Sequence, residues 1–289
     1  MSEQKHSIAV IGAGGVGIGA AVMLSRAGHR VALVGRSGSI GAAKLTLREE
    51  VIETSLQRLE ELEPEYAVIT VKAYDLAATV AQHEPMLKRC RTVLCIQNGL
   101  GIVEQLRGLP NAIQGVLYVS AERRSVAEAK WWFPMRIVVD ANDSRTKEIG
   151  EALQCTGIKI EWSDRFMAAV FRKLVINVTL NPITALYRLS SRAAMEREDT
   201  RRRAFAAGEE LLRIAEAMGV KVDATVESII GNISALNPNF GSSMLLDVEA
   251  GKPLELESIL AEPLKLAAKY HVSAPEMTKL YHELASLNT

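Results

Sequence analysis

The chain has 289 residues, with 34 Lys and Arg matched by 34 Asp and Glu and a mean hydropathy of +0.08. That length favours two domains over one, and the zero net charge argues against nucleic acid or an anionic membrane as partner. Three cysteines, Cys90, Cys95 and Cys155, form no CxxC pair and leave an odd one over, which fits reduced thiols in a cytoplasmic protein; the five histidines show no metal-ligand spacing.

Ser7 to Ser25 is a 19-residue run without a charge, long enough to pass for a membrane span. Its five glycines fall between a β-branched run, Ile8-Ala9-Val10-Ile11, and an alanine-rich run to Ala27 closed by Gly28, which predicts strand, turn and helix. No other stretch reads as a membrane anchor. Gly12-Ala13-Gly14-Gly15-Val16-Gly17 is then G-x-G-x-x-G in the setting a dinucleotide site requires. The glycines allow a tight turn, close approach to a pyrophosphate and close helix packing, and the helix N-terminus offers free N–H groups to the anion. The alternative is a glycine-rich structural turn. A second strand, Arg30 to Gly35, arrives on schedule and favours the dinucleotide.

An NAD-binding unit carries an acid at the end of that second strand to hold the ribose 2′-hydroxyl. Here the end reads Gly35-Arg36-Ser37, and Arg36 stands 19 residues past Gly17. A guanidinium suits a 2′-phosphate through charge-assisted bonds and stacking on adenine, so NADPH is expected over NADH.

Two alternating runs, Lys44 to Arg48 and Val51 to Ser55, read as an antiparallel pair. Tyr66 to Val71 is a buried parallel strand ending in Lys72, helix Asp75 to Lys88 follows, and then strand Thr92 to Ile96. This alternation predicts a Rossmann-type, doubly wound α/β domain. Ligands in such sheets sit beyond the carboxyl ends of the strands, where Lys72 and Gln97-Asn98-Gly99 fall. After a short helix come the apolar run Ile113 to Val119 and a last strand pair, Arg136 to Val139 and Ile158 to Ile160, around a helix from Asp143 to Thr156. Arg123-Arg124 reads as an exposed hairpin and Trp131-Trp132-Phe133 as core or interface aromatics.

From Asp164 the apolar residues recur at helical spacing, so the chain divides into residues 1–163, a dinucleotide-binding domain, and 164–289, an all-α domain. Helices are expected over Asp164 to Asn181, after Ser191, and over Thr200 to Met218, Ala224 to Leu236, Ser243 to Ala250, Leu254 to His271 and Pro275 to Leu287. The segment 237–241 reads as a loop that delivers Ser242-Ser243 to a helix start, and Arg201-Arg202-Arg203 as a solvated face. The first of these helices carries the polar residues that architecture explains least. Lys173, Asn177 and Asn181 recur every fourth residue and stack on one side. Phe171, Leu174, Val175, Ile176, Val178 and Leu180 surround them, so the row belongs in a buried polar site or an interdomain network. Pro182 is expected to end or kink the helix.

Together these residues carry a family resemblance. Gly12 to Gly17, Arg36, Val71-Lys72-Ala73, Gln97-Asn98-Gly99, Lys173-Leu174-x-x-Asn177-x-x-x-Asn181-Pro182-x-Thr184-Ala185-Leu186, Ser242-Ser243-Met244-Leu245-x-Asp247 and Glu255 resemble the ketopantoate reductases in order and spacing over nearly the whole chain. The resemblance implies NADPH-dependent reduction of 2-dehydropantoate to pantoate on the route to coenzyme A, with the substrate in the cleft between a Rossmann and a helical domain. It implies Lys173 as general acid, Glu255 ordering the lysine and the product hydroxyl, and Asn177, Asn181 and Ser243 on the substrate. Asn98 then places nicotinamide and Lys173, and Arg36 with Lys72 faces the 2′-phosphate.

The chain departs from the family where Leu254-Glu255-Leu256-Glu257 and Ile259-Leu260-Ala261 replace the usual Thr-Glu-Ile-Asp and Ile-Asn-Gly, and where Val126 to Lys130 lack a common Pro-Gly. Both departures fall, by the resemblance, near the cleft or its lid and so bear on which 2-oxo acid is taken. The alternatives are a reductase of another 2-oxo acid or imine, like the opine dehydrogenases, and a non-catalytic NADPH-binding redox sensor. No metal is expected, and a homodimer stays open.

Overall fold

The structure is a computed structural model that describes residues 5–234 and 241–287. The chain divides into two compact units, Met1–Gln97 with Ile102–Phe166, and Asn98–Gly101 with Met167–Thr289.

The first unit is built on a six-stranded sheet. Strand β1 (Ser7–Ile11) leads through the glycine turn into helix α1 (Gly15–Arg26), then β2 (Arg30–Gly35) and β3 (Gly38–Ile40). After β4 (Ala42–Leu47) and β5 (Glu50–Ser55), an antiparallel pair as expected, the chain returns with β6 (Tyr66–Ile69), helix α2 (Leu76–Leu87), β7 (Thr92–Cys95), helix α3 (Ile102–Gln105) and β8 (Ala112–Gln114). The spatial order is β3-β2-β1-β6-β7-β8, parallel except for β3. The order reverses between β1 and β6, the position where open α/β sheets bind ligands. Alternate residues of each strand enter two separate cores. Ile8, Val10, Tyr66 and Val68 pack with α1, whereas Ala9, Ile11, Ala67 and Ile69 pack with α2 and α3. Burial on both faces is why these strands read as continuous apolar runs.

The run Ile113 to Val119 is broken. Gly115 lets the chain leave β8 and start β9 (Val116–Tyr118), which joins β12 (Met135–Asp140) and β13 (Ile158–Ser163) in a three-stranded sheet around helix α4 (Arg145–Leu153). A third sheet, β10-β11-β4-β5, adds the hairpin β10 (Ala121–Arg123) and β11 (Glu128–Trp131) to the pair already described. Trp131 is fully buried where a β-carbon on Gly19 would lie 2.2 Å from its ring, and its Nε1 donates to the Gly15 carbonyl at 2.9 Å. One of the three consecutive aromatics thus clamps α1.

The second unit is helical: α5 (Phe166–Tyr187), α6 (Ser191–Glu196), α7 (Glu198–Ala217), α8 (Val226–Ser234), α9 (Ser243–Glu249), α10 (Glu262–Lys269) and α11 (Pro275–Ala285). The expected end of α8 at Leu236 and most of the loop 237–241 lie outside the described residues. Four expectations need correction. First, α5 runs through Pro182 to Tyr187, because Pro182, Ile183, Thr184 and Ala185 are all buried and their packing outweighs the roughly 3 kcal/mol cost of an interior proline. Second, the helix expected over Leu254 to His271 is not a regular α-helix and starts only at Leu256. A π-helical turn, Glu257–Ala261, precedes α10, which takes Pro263 in its first turn. Third, Arg203 does not share the solvated face of Arg201 and Arg202. It is half-buried and bonded to Glu276, Glu283 and the Tyr187 hydroxyl. Fourth, α5 is long and apolar enough to cross a membrane by length and composition, although 61% of its apolar window is buried inside the protein.

Candidate functional site

The glycine turn shows a separate task for each glycine of the motif. Gly12 has φ of +118°, and a β-carbon there would sit 2.7 Å from Thr70 Oγ1 and 2.8 Å from the Val71 nitrogen, at the end of β6. A β-carbon on Gly17 would come within 1.8 Å of the Gly12 carbonyl oxygen. The Thr70 hydroxyl donates to that same oxygen at 2.8 Å and ties the turn to β6. A β-carbon on Gly14, by contrast, would meet nothing within 4 Å. Nothing inside the protein requires a glycine at 14, so the missing side chain keeps the backbone bare on its open side.

Gly14 is also the N-cap of α1, with no side chain capping it and no acidic residue in the first turn. The leading N–H groups of Gly15, Val16 and Gly17 are those that a helix leaves without intrahelical partners. A bare backbone in front of an uncapped helix start, at the reversal of strand order, fits the pyrophosphate of a dinucleotide.

Arg36 follows directly on β2, whose last residue, Gly35, lies against Ala13 of the turn. Its side chain is 89% exposed and its Nη2 lies 3.2 Å from Asp75 Oδ2. Asp75 closes a short 3-10 turn after β6, and its N–H donates to the carbonyl of Lys72 at 3.0 Å. Arg36 and Lys72 are therefore attached to one turn. Asp75 was not among the sequence candidates, since an isolated acid at the start of a helix is ordinarily only a favourable first-turn charge. Next to it in the sheet, Gln97 Nε2 donates to the carbonyls of Ile69 and Val71. This buried amide bridges the ends of β6 and β7, at the strand end where Gln97-Asn98-Gly99 was expected to lie.

In the helical unit, successive members of the row Lys173, Asn177 and Asn181 stand about 6 Å apart along α5. Lys173 is half-buried, whereas Asn177 and Asn181 are buried. Asn177 Nδ2 reaches Asn98 Oδ1 at 3.4 Å, so two expected site residues 79 positions apart are neighbours. Asn181 Nδ2 is buried without a hydrogen-bond partner, which suits a group that bonds a ligand.

The segment carrying Asn98 is fixed by the π turn. Leu100 N–H donates to the Ser258 carbonyl at 2.9 Å, and a β-carbon on Gly99, at φ +96°, would collide with Ser258. Glu255 is buried one turn earlier, and the Ser258 hydroxyl is buried without a partner. A π turn inside a helix is often retained at a functional site. Sequence reasoning missed Ser258, because nothing in the run Glu255 to Leu260 marks a π turn.

Ser242 and Ser243 have different positions. Ser242 caps α9, its Oγ accepting from the Leu245 N–H and lying 2.6 Å from the Thr184 hydroxyl oxygen, whereas Ser243 is exposed on the first turn. Two of the thiols stay outside this chemistry, since burial pushes Cys90 up to about 11 and Cys95 up to about 12. No cluster of metal-ligating residues occurs among the described residues.

Comparison with known proteins places the whole chain in a family. Residues 8–144 match the family described as ketopantoate reductase PanE/ApbA, and residues 165–288 match its C-terminal counterpart. The chain belongs to the ketopantoate reductase family. A ketopantoate reductase is an oxidoreductase acting on a CH–OH group with a nicotinamide cofactor. A 2-dehydropantoate 2-reductase from Vibrio cholerae serotype O1 is 27% identical over 291 residues, covering 97% of each chain. The solved 2-dehydropantoate 2-reductase from Geobacter metallireducens GS-15 superposes with a TM-score of 0.87 at 23% identity, over 97% of this chain and 99% of that one. A ternary structure of D-mandelate dehydrogenase with NADH and anilino(oxo)acetate reaches 0.86 at 18% identity, over 98% of both chains, a likeness of fold.

Proposed function

We propose that the protein reduces 2-dehydropantoate to pantoate with NADPH in the cytoplasm, supplying pantoate for coenzyme A. The observation that carries this reading is the family match over both halves of the chain, together with a relative named for that reaction along 97% of its length. The glycine turn Gly12 to Gly17 holds the pyrophosphate, Arg36 and Lys72 the 2′-phosphate, and Asn98 the nicotinamide end. Bound there, the cofactor supplies the hydride that the keto carbon takes up. Lys173 gives its ammonium proton to the keto oxygen as negative charge gathers on it. Asn177 and Asn181 bind the hydroxyl side of the substrate, Ser243 binds its carboxylate, and Glu255 orders the lysine. The unpartnered Asn181 amide supports this assignment, because a buried donor is costly unless a ligand meets it.

The test is NADPH oxidation followed by absorbance with a panel of 2-oxo acids. 2-Dehydropantoate should give the highest kcat/KM, and Lys173→Ala should lower kcat by about 10² to 10⁴ with NADPH affinity nearly unchanged. Full turnover in that variant would remove Lys173 from the mechanism. The departures at 254–261 and the fold shared with D-mandelate dehydrogenase make an aryl 2-oxo acid and a pyruvate-plus-amine mixture the controls to include. A preference for either would replace the substrate and leave the reaction class standing. NADPH that binds but is oxidised with none of them would favour the redox sensor.

A further inference from the structure

The strand end that holds an acid in NAD-binding units carries Arg36 in this chain, yet a carboxylate is present at the same place. It arrives from another strand. Asp75, on the turn after β6, sets its Oδ2 3.2 Å from Arg36 Nη2, and the backbone of that turn is bonded to Lys72. The contact is single and the guanidinium is 89% exposed, so most of its donors still face solvent; Asp75 is itself 39% exposed. A ribose 2′-position held by Arg36 therefore meets a cation and an anion side by side.

We propose that Asp75 is a second specificity determinant for the cofactor ribose, accepting the 2′-hydroxyl of NADH and opposing the 2′-phosphate of NADPH, so that the protein binds both dinucleotides. The inference rests on the cofactor site proposed above. Its chemistry is a balance of charge. A phosphate monoester brings a charge near −2, which Arg36 and Lys72 together would neutralise. Asp75 leaves that cluster one negative charge in excess and makes Arg36 exchange one anionic partner for another. With a 2′-hydroxyl the same carboxylate gains a donor, the role an acid plays in NAD-binding units. A merely structural surface ion pair would contribute little and would not distinguish the two ligands.

Equilibrium titration of NADPH and NADH, followed by nicotinamide fluorescence, tests this with the wild-type protein, Asp75→Asn, Arg36→Gln and the double variant. Asp75→Asn should weaken NADH about tenfold and tighten NADPH a few-fold, with the melting temperature unchanged. Arg36→Gln should weaken NADPH and spare NADH. NADPH binding with an unchanged NADPH-to-NADH ratio in Asp75→Asn, or an equal loss of both ligands, would overturn the proposal while leaving the cofactor site intact. Wild-type protein that binds neither dinucleotide would overturn the cofactor site itself and this inference with it.

Discussion

A methyl group at Gly17 has no room, whereas one at Gly14 would enter open space. Two letters of one motif thus make opposite predictions. Gly17→Ala should destabilise the fold by about 2 kcal/mol or more, as expected when a new atom meets backbone, and should lower the melting temperature. Gly14→Ala should melt normally and weaken NADPH by about tenfold, because its methyl occupies the side on which the pyrophosphate approaches; fluorescence titration reads this. The pattern G-x-G-x-x-G was legible as spacing, but the division of labour within it was not. Gly15, outside the consensus, needs its hydrogen because a β-carbon would lie 2.8 Å from the backbone of Glu122, in a hairpin more than a hundred residues away. Asn177 and Asn98 show the same limit. Each was identified as polar where polarity is costly, and only the folded chain makes them partners.

Elements in this protein are decided by what they pack against. Helix α5 passes the proline that should stop it, with the buried hydroxyls of Thr179 and Thr184 bonded back to the carbonyls of Val175 and Leu180. The start of α11 is fixed by a charge from another helix. Glu210 on α7 is 3% exposed and accepts the N–H groups of Glu276 and Met277, while Arg203 on the same helix bonds Glu276 and Glu283. Glu210→Ala should leave two N–H groups of α11 unpaired and cost about 2 to 3 kcal/mol, seen as a melting temperature lower by roughly 4 to 12 °C. Glu210 lies outside the candidate site, so kcat should be unchanged. A normal melting temperature would show that the cap contributes nothing. Helical period revealed α7 and α11 individually, but a run of three arginines gave no sign that its third member turns inward.

The two units each bury their own core, and acid should strain the sheet unit. The Arg145 guanidinium holds the Asp143 carboxyl below its ordinary range at the start of α4, and Lys159 with Arg136 does the same for Glu161 on β13. At Glu65 burial pushes upward, but His6, the Ser7 N–H and Arg91 outweigh it and the net shift is downward. A carboxyl depressed in the folded state adds stability that is complete above its unfolded value, near pH 4, and is lost as pH falls through the folded value. Protection factors of the amides in β12 and β13, taken against the intrinsic exchange rate at each pH, should therefore fall as pH drops below about 4, and Asp143→Asn should flatten that dependence. Equal protection at neutral and acid pH would refute it. By itself the sequence determined the fold class, the glycine turn, the cation after the second strand and the polar row on an apolar helix, because each is written in local period or in short spacing. Only the tertiary structure decided that β11 pairs with β4, that Asp75 meets Arg36, that Asn98 meets Asn177 and that a π turn interrupts the helix after Glu255. These are contacts between residues distant in the chain or choices made by packing, and no local period records them.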